Sequence, residues 1–424
     1  MDDFPIGEFM ILRARVVLPI SRPPIEDGAV IISGNRIAKV GEWKELAESQ
    51  RSDVIDLGES ILLPGLINAH CHLDYTDMTG LMPPQKSFTD WIRLMLATKA
   101  SWNYSEYAHS WIQGAAMLAK TGTTTVVDFE AVPELLPEAW SSTPLRVISL
   151  MEMTGVKSRR DPRAILQDNV DHIVTLPGGR CRPGLAPHAP YSTVPELVRL
   201  GADLARRRRW PLSIHVSESL EEFEMFMNGR GVMFDWLRRN HRDMSDCGHG
   251  SPVKCLDKQG VFSENCLAVH VNYLADGDAS LLGSRRASVV HCPRSHLYFA
   301  HQKFPFGQFT KAGVNVCLGT DSLATIYKRR KQTVELNMFD ELRTFAGQHP
   351  RVNPKTILQM ATVNGARALG MAGHIGEISE RALADLIAIP FGGKIAEANE
   401  AVVHYEGDVD ASLIDGEWAV EPAR

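Results

Sequence analysis

The stretch Leu63-Pro64-Gly65-Leu66-Ile67-Asn68-Ala69-His70-Cys71-His72 decides how the rest of the chain is read. It is an apolar run of strand length that ends in two histidines separated by one residue. Alternate side chains on a strand share a face, so both imidazoles point the same way and can serve one metal ion. Cys71 then points to the opposite face and reads as core. In a chain with 15 histidines such a pair also arises by chance, so the reading needs support from other segments.

Outward from this stretch the pattern repeats. Short apolar strand candidates at 123–128, 146–152, 212–216, 266–271, 287–291 and 314–318 are separated by helical spacing, as in Trp111, Ala115 and Leu118 or Val334, Met338 and Leu342. Strands alternating with helices predict βαβ units and a parallel sheet. There is room for eight units, and no Gly-x-Gly-x-x-Gly turn follows the first strand, so the expected α/β fold is a (β/α)8 TIM barrel and not an open doubly wound sheet. Before Gly65 and after Gly370 the chain reads as strands and tight turns. The expected organisation is a barrel over residues 66–370, beside a small β-sandwich module built from both chain termini, 1–65 and 371–424. His215, His270, His291 and Asp321 each follow an apolar strand candidate, at the barrel end where such enzymes keep their chemistry.

Composition excludes several classes. A net charge of −6 gives no field that would hold nucleic acid or an anionic membrane. The run Arg206 to Arg209 reads as a helix end whose cations offset the dipole. Seven scattered cysteines suit a reduced compartment. No secretory n-region opens the chain, and no apolar run approaches the roughly 18 residues a membrane span needs. The expected location is cytoplasmic.

His70-Cys71-His72, His215-Val216-Ser217-Glu218, His270 and Gly319-Thr320-Asp321-Ser322 together resemble the amidohydrolase superfamily, over nearly the whole chain. Within it the likeness is to the cytosine and adenosine-type deaminases and the chlorohydrolase-like enzymes. The resemblance implies one divalent metal, zinc first and ferrous iron second, held by His70, His72, His215 and Asp321. It also implies Glu218, His270 and Asp321 as proton-handling residues, a heterocyclic amine as small-molecule substrate, and a homodimer. The expected reaction replaces a ring amino group by oxygen with release of ammonia. Three neutral nitrogens and a carboxylate suit either metal and leave a position open for water. The fourth strand candidate, 181–186, has no lysine or glutamate to bridge a second metal, so a mononuclear site is expected; Cys181 is the one ligand type there.

Substrate contacts are expected from His188, in Pro187-His188-Ala189-Pro190-Tyr191, although prolines also fix histidines in purely structural turns. Trp91 stands in the loop after the first strand, which carries no acid where relatives hold ribose hydroxyls; this weakens a methylthioadenosine or adenosylhomocysteine reading. Arg294, Ser295 and His296 make one edge rich in cations and donors, which suits a substrate carboxylate. With Glu152, that pattern resembles the aminofutalosine deaminase-like branch, whose substrate is an adenine nucleoside extended by a benzoate; an unspecified aminopurine or aminopyrimidine is the other reading. Residues 221–260 are long for a connection and are expected to wall or cover the pocket. Their His241, Cys247, His249 and Cys255 lack the short repeated spacing of a second zinc site. Hydrolysis of a ring chloride or a cyclic amide on the same scaffold is the competing chemistry, against which a ring-protonating Glu218 argues. A non-catalytic scaffold would lack ligands, and none is lacking.

Overall fold

The structure, a computed structural model, describes residues 9–46, 54–156, 160–328 and 333–423. The N-terminal segment supplies β1 (Phe9–Val17), β2 (Ile25–Ser33), β3 (Arg36–Glu42), β4 (Val54–Asp56) and β5 (Ser60–Pro64). The eight strands that follow are β6 (Leu66–Cys71), β7 (Thr123–Glu130), β8 (Arg146–Met153), β9 (Arg182–Pro187), β10 (Leu212–Val216), β11 (Cys266–His270), β12 (Ser288–His291) and β13 (Asn315–Leu318). The chain closes with β14 (Leu386–Pro390), β15 (Ala411–Ile414) and β16 (Glu417–Val420).

β6 to β13 lie side by side in chain order, parallel throughout. Every residue of β6, β7, β10, β11 and β12 is buried. That is why these strands read as continuous apolar runs: a parallel sheet is covered on both faces. Inside the ring Val127, Phe129, Ile148, Leu150, Leu267, Val269 and Val290 form one packed cluster. A larger cluster, which takes in Cys71, fills the space between strands and helices.

The ring shuts where β13 meets β6. The N–H groups of Thr320 and Asp321 both donate to the carbonyl of His70, at 3.0 and 3.1 Å. Gly319 permits this approach, because a Cβ there would lie 2.8 Å from the His70 carbonyl oxygen and 2.9 Å from its Cβ. The closure therefore brings the His-x-His strand and the Asp321 strand end together, although 249 residues separate Asp321 from His72.

The two ends of the chain share a second, mixed sheet in the order β16-β15-β14-β5-β1-β2-β3, with β4 paired to β1. The ends meet at β5 and β14, which run antiparallel from Ser60↔Pro390 to Pro64↔Leu386. A buried Arg146 on β8 binds Asp385 at 3.1 Å and Asp415 at 3.3 Å, tying this sheet to the barrel. The arginine run ends the helix Pro195–Arg208, with Arg209 as its left-handed cap. No helix among the described residues is long and apolar enough to cross a membrane.

Candidate active site

His70 is the second-last residue of β6 and His72 directly follows that strand, His215 lies in β10, His270 ends β11 and Asp321 follows β13. All five are buried at one end of the ring. His70, His72 and His215 form one group whose ligand atoms lie within 4.8 Å of one another; Glu218, His270 and Asp321 form a second. Nε2 of His72 and Nε2 of His215 face each other at 3.4 Å. Asp321 Oδ1 lies 3.7 Å from His70 Nε2 and 3.8 Å from His72 Nε2, which joins the groups. Both ring nitrogens of His70 and Nδ1 of His72 are buried without a hydrogen-bond partner among the described residues. Burying such nitrogens unpaired is costly, so donors converging on one point fit a bound cation.

The surroundings aim these groups. His215 Nδ1 contacts the His188 carbonyl at 2.7 Å, which leaves Nε2 to face the cluster. Asp321 Oδ2 accepts from Ser295 Oγ at 2.6 Å and Thr325 Oγ1 at 3.1 Å, leaving Oδ1 for the histidines. Asp321, Ser217 and His270 adopt positive φ values of 55°, 51° and 73°. Each conformation of this kind costs about 1–3 kcal/mol and persists where neighbouring structure enforces it.

Electrostatics separates the two carboxyls. Burial, then the charges of Asp321 and Glu222, pushes the Glu218 carboxyl well above the ordinary range. Burial also acts to raise Asp321, but the nearby rings of His70, His270 and His72 outweigh it and hold Asp321 low. Two neighbouring acids driven apart in this way have an acid and a base role available. Burial pushes His270 down to about 3 and His215 well below its usual value, so both stand as neutral imidazoles. His270 Nε2 lies 3.6 Å from Glu218 Oε1.

A cavity of about 340 Å³ opens above this floor. Its wall includes His72, His188, His215, Glu218 and Asp321, and beyond them Trp91, Glu152, Tyr191 and Ser322. The helix Phe88–Lys99 gives one side of the wall with Trp91, Ile92, Met95, Leu96 and Lys99. Trp236 and Leu237, from the segment 221–260, give another. Glu221 ties these sides together: its carboxylate accepts from the N–H groups of Phe88 and Thr89 at 2.8 and 3.0 Å.

Three expected substrate contacts stand elsewhere. Arg294 does not line this cavity. Its guanidinium is spent on Glu341 at 2.6 Å and Asp340 at 2.9 Å. Ser295 orients Asp321, as above, and does not line the cavity. His296 packs against His291, with ring centroids 5.1 Å apart, and is likewise absent from the cavity wall. Among the described residues the cation that does line it is Lys99, which the sequence reading passed over, as it did Tyr75 and Glu222; Glu221 and Trp236 belong to the segment expected to wall the pocket. Lys99 donates to the Tyr75 hydroxyl and lies 4.0 Å from Glu152. Cys181 is buried and contacts the Leu145 carbonyl, just before β9 and away from the cavity wall. Among the described residues, the two groups above are the ones that bring three ligand atoms together; His241, Cys247, His249 and Cys255 do not.

Comparison with known proteins agrees with this geometry. The amidohydrolase family pattern matches residues 61–419. The chain is 32% identical over 389 residues to a 5-methylthioadenosine/S-adenosylhomocysteine deaminase of Syntrophobacter fumaroxidans, covering 86% of this chain and 80% of that one. Aminofutalosine deaminase of Helicobacter pylori in complex with methylthio-coformycin superposes with a TM-score of 0.86, at 22% identity, over 98% of this chain and all of that one. The atrazine chlorohydrolase of Arthrobacter aurescens complexed with zinc does so at 0.82, with 20% identity, over 97% and 95%. The chain belongs to the amidohydrolase family.

Proposed function

We propose that this chain is a metal-dependent aminohydrolase that removes the exocyclic amino group of an adenine nucleoside as ammonia. The observation that carries the reading is the meeting, at the floor of one cavity, of three buried histidines with one carboxyl pushed up by burial and another held low. The deaminase relative supports it. The same reading takes zinc as the metal, residues 66–370 as the catalytic barrel, and a cytoplasmic homodimer as the working form.

His70, His72, His215 and Asp321 are the residues that would hold the metal. When bound, it supplies Lewis acidity that makes water a nucleophile at neutral pH. Glu218, protonated before the substrate enters, delivers its proton to a ring nitrogen as water adds to the carbon that bears the amino group. The ionised Asp321 accepts the proton that water gives up and passes it to the amine, which departs as ammonia; the added hydroxyl gives up its remaining proton as the carbonyl forms, which restores the Glu218 acid. His270, neutral and beside Glu218, donates a hydrogen bond to the oxygen being added. His188 orients the heterocycle against the Trp91 wall.

The far end of the cavity argues against a carboxylate on the substrate. Among the described residues Lys99 is its one lysine or arginine, and Tyr75 and Glu152 already engage it. An uncharged, hydroxyl- or thioether-bearing nucleoside suits these groups better than a benzoate.

The test is ammonia release by zinc-loaded protein, with a chelated control. The panel is adenosine, 5′-deoxyadenosine, 5′-methylthioadenosine, a carboxylate-bearing adenine nucleoside and a chlorotriazine. Metal-dependent ammonia from the uncharged nucleosides is expected, falling about 10²–10⁴-fold in Glu218→Gln at unchanged metal content. Chloride release with no ammonia would overturn the reaction assigned.

A further inference from the structure

We infer that Glu222 is a positioning residue for the proton donor Glu218, acting through the backbone of the turn that carries it. The inference rests on the proton-donor reading of Glu218.

Glu222 is fully buried on the first turn of the helix Leu220–Asn228. Its two carboxylate oxygens do different jobs. Oε1 accepts from the N–H of Ser217 and Oε2 from the N–H of Glu218, each at 2.9 Å. One side chain thus spans two consecutive amides, the second belonging to the proton donor itself. Ser217 has φ 51°, a left-handed conformation that a residue with a side chain rarely adopts. That turn directs Glu218 back over the cavity instead of along the strand.

The other side of the turn is held as well. Asn272 Nδ2 donates to the Glu218 carbonyl at 2.8 Å, and the Asn272 N–H donates to the Ser217 carbonyl at 3.0 Å. Asn272 lies two residues past His270, so the clamp also sets Glu218 relative to His270 on the neighbouring strand. Glu222 grips the amides and Asn272 the carbonyls, leaving this strained turn one orientation.

A simpler role is available, because Ser219 caps the same helix by accepting from the Glu222 N–H at 3.1 Å. In a capping box the acid would reach back to the cap residue's own amide. Here the two 2.9 Å bonds go to the residues before the cap, one of them Glu218. Capping explains the helix start. It does not explain those targets.

The test compares Glu222→Gln with Ser219→Ala in zinc-loaded protein, scoring kcat per bound metal, KM, its pH profile and the melting temperature. The glutamine puts an N–H₂ group against one of the two amides. A displacement of about 1 Å at a reacting group costs on the order of 10²-fold. We expect Glu222→Gln to lose roughly 10–100-fold in kcat, by the same principle, with KM and metal content near wild type and a shifted alkaline limb of the pH profile. Ser219→Ala should lower the melting temperature and leave kcat per metal within about twofold. Combined with Glu218→Gln, the Glu222 substitution should add nothing further, since the group it positions is already gone.

Equal kcat losses in Ser219→Ala and Glu222→Gln would overturn the inference in favour of helix capping. So would an additive loss in the double variant. A Glu218→Gln enzyme that keeps its activity would sink the proton-donor reading itself, whatever Glu222→Gln does. If Glu222→Gln does not fold, Asn272→Ala tests the same clamp from the carbonyl side, with the same kcat loss expected and an unchanged kcat overturning the inference.

Discussion

Truncating Arg294 to alanine should cost stability and spare substrate affinity. The guanidinium bonds Glu341 through Nε at 2.6 Å and Asp340 through Nη1 at 2.9 Å, and reaches the Glu335 carbonyl at 3.0 Å. Glu341 is fully buried, so truncation leaves its carboxylate with the Arg294 N–H, at 2.9 Å, as its remaining donor among the described residues. Removing one partner of a buried pair costs about 3–5 kcal/mol, much of it the burden of the charge left behind. Burial has already pushed Glu341 up to about 7 against the pull of Arg294, so at low pH the stranded carboxylate can take a proton and recover part of the loss. The deficit should therefore be smaller at pH 6 than at pH 8. It should largely vanish in the double variant Arg294→Met with Glu341→Leu, which removes both charges while keeping volume. Urea unfolding followed by tryptophan fluorescence at the two pH values measures the first effect. KM for adenine nucleosides with and without a carboxylate, on the same preparations, measures the second. An unchanged urea midpoint, with KM raised for the carboxylate-bearing substrate alone, would refute the reasoning and return Arg294 to the pocket.

Gly319→Ala should separate the barrel's closing strands, because the new methyl meets backbone atoms of His70 at 2.8–2.9 Å. We expect a loss of about 1–3 kcal/mol in stability and weaker metal retention on dialysis; full metal content and wild-type melting would show that the closure yields easily. A pH effect follows from Glu341, whose carboxyl rises from 4.5 to about 7 on folding through burial. The folded chain then holds more protons than the unfolded one across that window, so this group's contribution to stability falls as pH rises from 4.5 to 7, by at most about 1.4 kcal/mol per pH unit. The wild-type-minus-Glu341→Gln difference in unfolding free energy should fall across that range, and a difference that climbs instead would mean that Arg294 holds the carboxylate ionised.

The metal-type ligands were legible because two regularities convert sequence into shared space. Strand alternation puts His70 and His72 on one face, and a barrel gathers the ends of β10, β11 and β13 around them. Neither regularity needs knowledge of distant partners. Lys99 was within reach by the same logic: Trp91, Met95 and Lys99 are spaced four apart on one helix, so a wall containing Trp91 should contain Lys99. The cue was there in the spacing, and only the charged end of the stripe was passed over.

Arg294, Ser295 and His296 fail for a reason that a motif read as a string conceals. They are consecutive residues on the helix Pro293–Tyr298, where each step turns the side chain by about 100°, so three neighbours cannot share a face. The structure sends them three ways: Arg294 to Glu341, Ser295 to Asp321 and His296 to the ring of His291. Which way each one goes is set by partners far along the chain, 47 residues for Glu341 and 26 for Asp321. Glu222 is the converse case. Its Ser-x-x-Glu spacing announces a helix start, and that local meaning hides the bonds to Ser217 and Glu218, which exist only because β10 ends in a left-handed turn. A buried charge is placed by what neutralises it. Where that partner lies on another element, composition can count the charge but cannot say which wall it faces.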